Sequence, residues 1–149
     1  MTLDSNTQET NSGAAEIFGM KPNTFCMMLH LSQLFNFWVP PCGIVLPIVL
    51  WAIGKDKSPQ VDQHGKIILN WLISLFVYMA IGVVVAIGGV IFSILVTVAI
   101  GFSTPIGLVF FGAIASLLGI PAIIFPVIGA LKANEGTAWD YPLSIRWCA

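Results

Sequence analysis

The stretch from Ile67 to Leu131 contains no Asp, Glu, Lys, Arg or His, and this feature constrains the fold more than any other. As one straight helix the stretch would be about 98 Å long at about 1.5 Å per residue, whereas the hydrocarbon core of a bilayer is about 30 Å thick. Lipid offers no hydrogen bonds to backbone groups, so the crossings are predicted to be helices. The stretch therefore predicts a membrane segment that crosses the bilayer at least twice.

The composition of the whole chain agrees with a membrane protein. Of the 149 residues, 57% are hydrophobic and 9% are charged, against about 25% charged in soluble domains. The formal net charge of −1 supplies no clustered basic surface, so no nucleic-acid partner is predicted. The cysteines, Cys26, Cys42 and Cys148, share no CxxC spacing, which predicts neither a disulfide framework nor a zinc site.

The N-terminal residues differ in composition from the rest of the chain. Residues 1–22 are rich in Ser, Thr, Asn, Gln and Glu, and they lack the basic start and apolar core of a signal peptide. Such a segment buries too little apolar surface to fold, so it is predicted to be a disordered polar tail. Residues 23–149 are predicted to form a single polytopic helical membrane domain.

Two short apolar segments, each containing or ended by proline, precede the long stretch. Asn23 or Thr24 is predicted to cap a helix from Phe25 to about Trp38. A second helix is predicted from Gly43 to Ile53, with a left-handed cap at Gly54. Each segment is too short to cross a bilayer alone, so together they form either one kinked crossing or a re-entrant hairpin.

A polar stripe lies on the first of these helices. His30, Gln33 and Asn36 recur at a spacing of three and would share one drifting face. An ionisable residue in a membrane segment is a functional candidate by default, which makes His30 one. The alternative is a neutral, hydrogen-bonded His30 on an amphipathic helix at the membrane interface.

The basic residues indicate the topology. Residues 55–66 are predicted to be a water-exposed loop, with Asp62 capping the next helix. Most of the basic residues lie on the two sides of the uncharged stretch: Lys55, Lys57, Lys66, Lys132 and Arg146. By the positive-inside rule, the loop and the C-terminus are both predicted to be cytoplasmic. Tryptophans flank the same charged segments, as expected of interfacial anchors: Trp51, Trp71, Trp139 and Trp147.

Flanks on one side of the membrane require an even number of crossings, and two are predicted. The break is predicted at residues 102–107, between a helix from about Gly65 to Gly101 and one from Pro105 to Leu131. The first helix exceeds the bilayer thickness, so a tilt or a kink near residues 88–89 is expected. Three crossings are the alternative. The predicted fold class is an all-α integral membrane protein with about four hydrophobic helices, the first two short and proline-interrupted, the last two long spans.

Small and polar residues recur every four positions within the long stretch. The first row is Asn70, Ser74, Tyr78, Gly82 and Ala86, and a second follows at Gly89, Ser93, Thr97 and Gly101. Two pairs on the last helix offer a matching surface: Gly112 with Ser116, and Ala115 with Gly119. Small residues at this spacing allow close helix packing in lipid, so the rows are predicted to pack helices together. The alternative is that their polar members line a pore.

The motifs of the common enzyme classes are missing from the sequence. It contains no GxSxG, HExxH, P-loop or Rossmann glycine pattern, and Asp62 and His64 supply only two possible metal ligands. The chain is therefore predicted to be no enzyme and to hold neither a cofactor nor a metal.

Three stretches carry a family resemblance. They are residues 28–34, with the letters MLHLSQL; residues 43–51, with GIVLPIVLW, running on through the DxHG motif at 62–65 to Asn70; and KANEG at 132–136 with YPLSIR at 141–146. Residues 24–147 thereby resemble a widespread bacterial membrane domain of unknown function. That domain is similar to the channel-forming component of the protein-import translocon in the chloroplast inner envelope. The resemblance implies a compact helical protein of the bacterial inner membrane, with a distant analogy to protein translocation.

The same motifs provide the candidate interaction residues. They are His30, Ser32, Pro47, Trp51, Asp62, His64, Gly65, Asn70, Gly136, Tyr141, Pro142 and Arg146. Since the loop and the tail share one side of the membrane, Asp62, His64 and Asn70 are predicted to contact Tyr141 and Arg146. The alternative is that these residues merely cap helices and anchor the tail.

These observations favour a scaffold or accessory subunit of a membrane complex, with the lipid bilayer and either another membrane protein or a second copy as partners. A translocation or conduction pore is the second hypothesis, and an enzyme or metal sensor using His30 and His64 is the third.

Overall fold

A computed structural model describes residues 17–101 and 106–148. The elements are α1 (Pro22–Leu31), a 3₁₀ helix (Ser32–Phe37), α2 (Cys42–Gly54), α3 (Pro59–Ile100) and α4 (Ile106–Asn134), followed by an irregular C-terminal segment. Apart from one isolated bridge, these described residues contain no strand pairing. The all-α prediction, with two short helices and two long ones, is confirmed.

Helices α3 and α4 run antiparallel, because Trp71 contacts Phe125 and Gly82 faces Ile114. Both contain a stretch long and apolar enough to cross a membrane, Pro59–Ala99 and Gly112–Asn134. We call residues 76–101 with 106–124 the hairpin, and residues 17–75 with 125–148 the base. The base is where most of the buried residues lie, whereas most described side chains of the hairpin are exposed.

The two long helices meet near the predicted break. Helix α3 has 42 residues, about 63 Å at about 1.5 Å per residue, and it is helical without a break through residues 88–89, where a kink was one of the two expectations. It ends where Gly101 adopts a left-handed conformation, with φ of 70°, which glycine tolerates at no steric cost. Helix α4 begins at Ile106, and residues 102–105 of the predicted break lie outside the described residues.

Helix α1 begins earlier than predicted. Pro22 occupies its first turn, where a missing N–H costs nothing, and Lys21 precedes it without a side-chain cap. The predicted caps at Asn23 or Thr24 are therefore wrong. Asn23 instead accepts a hydrogen bond from Gln60 Nε2 at 2.8 Å and so ties α1 to α3.

Helix α2 folds back antiparallel to the 3₁₀ helix and α1. Gly43 lies against the backbone of Asn36 near the turn, while Gly54 lies against the Phe25 ring at the other end. The first two segments therefore form a helical hairpin rather than one kinked crossing. The predicted left-handed cap at Gly54 is wrong, since the next residue, Lys55, is still right-handed. A β-carbon at Gly54 would approach Phe25 and Val61 to 2.8 Å, so close packing requires this glycine.

The loop between α2 and α3 is shorter than predicted. Helix α3 starts at Pro59, so residues 59–66 of the predicted 55–66 loop are helical. Asp62 does not cap the helix. It lies in the first turn, where a negative charge is favourable, and it accepts from Trp51 Nε1 at 3.1 Å and pairs with Lys66 at 3.2 Å.

The core of the base extends into the predicted tail. It consists of Ile17, Phe25, Cys26, Leu29, Val61, Ile68 and Ala133. Ile17 is fully buried, and its backbone pairs with that of Met20. Residues 17–20 of the predicted 1–22 tail therefore fold onto the base, while residues 1–16 lie outside the described part of the chain.

Candidate functional site

A buried chain of polar side chains joins four parts of the base. His30 Nδ1 lies 2.8 Å from the Tyr141 hydroxyl, and His30 Nε2 lies 2.9 Å from His64 Nδ1. Gln33 Nε2 donates to the same hydroxyl at 3.1 Å. The chain thereby connects α1, the 3₁₀ helix, α3 and the C-terminal segment, and we call these four residues the polar cluster.

Counting protons assigns the direction of these hydrogen bonds. The Tyr141 oxygen accepts from Gln33, so its own proton is used only if it donates to His30 Nδ1. His30 is then protonated on Nε2 and donates to His64 Nδ1. Both imidazoles are neutral in this arrangement, which leaves His64 Nε2 buried and without a hydrogen-bond partner among the described residues.

Burial explains why neutral forms are favoured. His30 and His64 are 0% exposed, and Tyr141 is 2% exposed. Burial first, and the neighbouring His64 second, lower the pKa of His30 from 6.5 to about 3, because a buried imidazolium would lose its hydration. Burial also raises the pKa of Tyr141 above its ordinary value. His30 is hydrogen-bonded on both ring nitrogens, as one interpretation of the sequence expected, but it lies in the protein core and not on an interfacial face.

Two glycines allow close packing in and beside the cluster. A β-carbon at Gly129 of α4 would come within 2.7 Å of His30 Nδ1 and 3.0 Å of the Tyr141 ring. One at Gly65 would overlap the indole ring of Trp51. The glycine after His64 therefore allows α2 to close against α3.

An aromatic cluster surrounds the hydroxyl-bearing ring of Tyr141. Trp71, Phe125 and Trp139 have ring centroids 5.5 to 5.6 Å from that of Tyr141. The Trp71 and Phe125 centroids are also 5.1 Å apart. Edge-to-face and tilted contacts at these separations are favourable, so the aromatic rings fix the C-terminal segment between α3 and α4.

A second set of contacts holds the end of the chain along α3. Asn70 Oδ1 accepts from the backbone N–H groups of Trp147 and Cys148, at 2.9 and 2.7 Å, and its Nδ2 donates to the Cys148 carbonyl. Ser74 Oγ accepts from the backbone N–H of Ile145 at 2.8 Å. Tyr78 donates to the Leu143 carbonyl at 2.8 Å. We call Asn70, Ser74 and Tyr78 the polar ladder.

The spacing of the polar ladder matches an extended chain. Four residues of helix rise about 6 Å, and two residues of extended chain advance about 6.6 Å. One side chain every four helical positions can therefore reach a backbone group of every second residue in the antiparallel segment 143–148. The predicted row of three polar residues is real, but it binds backbone of the C-terminal segment and does not join two membrane helices.

Among the described residues, no hydrogen bond or ion pair of the predicted kind joins Asp62, His64 or Asn70 directly to Tyr141 or Arg146, although the two segments do meet through other contacts. Asn70 binds the backbone of the tail, and His64 reaches Tyr141 through His30. Asp62 contacts Trp51 and Lys66 instead, and Arg146 pairs with Asp140 at the surface. Of the DxHG motif, His64 and Gly65 are therefore buried in the interior, whereas Asp62 is only partly buried.

The remaining candidate residues have structural surroundings. Ser32 donates to the Leu29 carbonyl at 2.7 Å, and Pro47 is buried within α2. Gly136 takes a left-handed φ of 77° at the end of α4, where its N–H bonds to the Ala133 carbonyl. Pro142 is exposed in the turn after Tyr141.

Sequence reasoning missed two members of the site. Gln33 was assigned to the stripe but not to the interaction residues, although its spacing of three from His30 was the available signal. The sequence carries no signal for Gly129, because its importance comes from the close approach of His30 on α1 to α4, which leaves no room for a β-carbon.

The small-residue pairs of α4 do not form the predicted packing surface. Gly82 of α3 faces Ile114, but β-carbons at Gly112 and Gly119 would meet no atom within 4 Å in the described part of the protein. Ser116 donates to the Gly112 carbonyl of its own helix. The side chain of residue 115 lies outside the described set.

The polar cluster is built to hold elements together. Its members bond to one another in the interior, and the described residues contain no group of three or more His, Cys, Asp or Glu that could hold a metal ion. Within this geometry the cluster can fix the positions of α1, α3 and the C-terminal segment, and it can respond to protonation.

Comparison with known proteins identifies a family. Searches of curated proteins and of solved structures found no significant match. The family model described as "Magnetosome magnetite crystal formation protein family" matches residues 21–148. This supports the predicted bacterial membrane family, whereas none of the comparisons supports the likeness to the chloroplast import channel. Since the match covers the base and the hairpin, the chain belongs to the magnetosome magnetite crystal formation protein family.

Proposed function

We propose that this protein is a non-enzymatic structural subunit of a magnetosome membrane, which takes part in magnetite crystal formation by assembling with membrane proteins through its hairpin. The observation that carries the proposal is the family match over residues 21–148, combined with a long apolar hairpin on a closed base. Assembly can be with a second copy or with a different protein of the same membrane.

The length of α3 supports assembly. The uncharged part of the helix, residues 67–100, is about 51 Å long at about 1.5 Å per residue, so even at a tilt of about 40° it exceeds the hydrocarbon core of about 30 Å and leaves apolar side chains beyond the lipid tails. Those side chains are exposed in the single chain, with Leu95 at 63% and Val98 at 80%. Apolar surface outside the hydrocarbon core is stabilised by contact with other protein.

The interior of the base supports a non-enzymatic role. His30, His64 and Tyr141 are closed off from solvent and bond to one another, so they present no reactive atom to a substrate. The pore alternative has less support, because the residues proposed to line it are used elsewhere. His30 and Gln33 lie in the polar cluster, and the polar ladder binds the C-terminal segment.

The proposal is tested in a magnetite-forming bacterium whose own copy of the gene is deleted. We expect altered crystal size or number by electron microscopy, restored by the full chain. Single cysteines at positions 95 and 63, introduced after replacing the native cysteines, then report on assembly. Disulfide crosslinks in native membranes are expected from the hairpin position 95 and not from the exposed base position 63. Normal crystals in the deletion strain, or crosslinks only at position 63, would contradict the proposal.

A further inference from the structure

A groove lies where the base meets the hairpin, and the α3 residues that line it do not include Asn70, Ser74 or Tyr78 of the polar ladder. Its volume is about 440 Å³, within the range of small-molecule sites in proteins. Helix α3 contributes one wall with Trp71, Leu75 and Met79, and α4 contributes the other with Leu118, Gly119 and Ala122. The 3₁₀ helix and the start of α2 form the floor.

The groove is polar at one end and apolar at the other. Gln33 and Asn36 supply amide groups near the base, and Gln33 also contacts the polar cluster. From Trp71 to Met79 the wall rises about 12 Å along α3 toward the hairpin. Among the described residues that line it, none is Lys, Arg, Asp or Glu. The polar end therefore faces the side of the charged loops, and the apolar end faces the middle of the membrane.

The groove is too small for a helix of another protein. A helix with side chains is about 10 Å across, so 440 Å³ would hold only about one turn of it. An acyl chain in one leaflet extends about 15 Å, half of the hydrocarbon core, which is close to the length of the wall. The groove also opens onto exposed apolar side chains, Phe76 at 76% and Met79 at 52%, so a lipid can enter it sideways.

We propose that this groove binds one acyl chain of a membrane lipid, with the ester groups of the lipid next to Asn36, whose amide N–H can donate to an ester oxygen. The side-chain N–H groups of Gln33 already donate to the His30 carbonyl and the Tyr141 hydroxyl. The inference does not depend on the proposed function. It gives a reason for the glycine at position 119. A β-carbon there would meet no atom of the described residues within 4 Å, and the missing side chain leaves the groove open. Because no charged side chain lines the groove, we expect no requirement for an anionic headgroup.

A filled groove provides the test. Gly119→Phe places a ring in the groove, and Gly112→Phe is the matched control, because both positions are open but only Gly119 lines the groove. The full chain is purified in mild detergent and analysed by native mass spectrometry for bound phospholipid. We expect one lipid per chain in the wild type and in Gly112→Phe, and at least about a tenfold lower bound fraction in Gly119→Phe. Losing the burial of two methylene groups already weakens binding by about that factor.

A second measurement uses Trp71, which lines the groove and is 1% exposed. In vesicles of phosphatidylcholine with brominated acyl chains, tryptophan fluorescence is expected to be quenched less in Gly119→Phe than in Gly112→Phe. Equal lipid occupancy and equal quenching in the two variants would overturn the proposal. A change in oligomeric state of Gly119→Phe with unchanged lipid content would also overturn it, and would assign the groove to a second copy.

Discussion

The base and the hairpin share helix α3, yet its side chains are mostly buried by protein in the base and mostly exposed in the hairpin. Below Phe76 the apolar residues Val61, Ile68 and Trp71 are buried by protein, and polar side chains among them are hydrogen-bonded. Above it, residues such as Val84 and Leu95 are 70% and 63% exposed. Both halves are helical, and from Ile67 onward both are uncharged, so neither helicity nor charge separates the largely buried residues 67–75 from the largely exposed residues that follow. The difference teaches that hydrophobicity places this helix in a membrane, whereas close packing and polar contacts decide which part of it folds against the rest of the chain.

If the base is held by close packing, Gly65→Ala should have the largest effect. The new β-carbon would overlap the Trp51 ring, so we expect the free energy of unfolding to fall by about 3 kcal/mol. Gly88→Ala in the hairpin is the control, because no atom of the described residues lies within 4 Å of its β-carbon, and its stability should stay the same or rise by at most about 1 kcal/mol through helix propensity. Denaturant titration in detergent micelles measures both. Equal stabilities would show that Trp51 does not pack against α3 as described.

A pair of tyrosines sharpens the comparison between buried and exposed polar contacts. Tyr141→Phe leaves the buried Gln33 amide and His30 Nδ1 without their shared partner, and it should lower the free energy of unfolding by about 2 to 3 kcal/mol. Tyr78→Phe removes one hydrogen bond to the Leu143 carbonyl and should cost about 1 kcal/mol. The same titration applies, and a larger loss in Tyr78→Phe would contradict a structural role for the polar cluster.

The stability of the base should depend on pH through His30. Its pKa is about 3 in the folded protein and 6.5 ordinarily, so the unfolded chain binds a proton first as the pH falls. The titration of His30 therefore does not change the free energy of unfolding above pH 6.5. Between pH 6.5 and pH 3 it lowers that free energy by at most about 1.4 kcal/mol per pH unit, because the unfolded chain binds one more proton. Unfolding at pH 7.5 and 5.5 tests this. His30→Gln should show a shallower slope, and an unchanged slope would assign the pH dependence to other groups.

The smallest effect on global stability is expected at the polar ladder. Asn70→Ala removes three hydrogen bonds to the last residues, which releases the end of the chain without opening the core. Trypsin should then cleave after Arg146 about tenfold faster, a ratio equivalent to about 1.4 kcal/mol of local stability. Gln63→Ala, at an exposed position of the same helix, is the control. Equal cleavage rates in the two variants would mean that Asn70 does not hold the tail.

Much of the fold could be predicted because it depends on local sequence. The uncharged stretch, the two short apolar segments and the glycine at position 101 are properties of neighbouring residues, and they gave two short and two long helical segments correctly. The predicted helix from Phe25 to about Trp38 is wrong in type over its second half, where residues Ser32–Phe37 form a 3₁₀ helix. The start of α3 was misplaced, since residues 59–66 look like a polar loop by composition. Pro59 and Asp62 in a first helical turn explain why the helix nevertheless begins there.

The candidate site could be predicted only as a set of residues. His30, His64 and Tyr141 were all identified from motifs, but the hydrogen bonds between them join positions that are distant in the sequence. The polar ladder shows the same limit, because its spacing of four fits helix packing and backbone binding equally well. Which partner it binds depends on where the C-terminal segment lies.

By itself the sequence determined that this protein is a helical membrane protein and that it has two long helices apolar enough to cross a bilayer, because the free energy of placing a segment in a membrane depends on its own residues. Only the tertiary structure decided that His30 is bonded in a closed core, that Gly65 and Gly129 make room for neighbours, and that Asn70 holds the end of the chain. Those outcomes depend on distances between segments, and a sequence pattern carries no such distances.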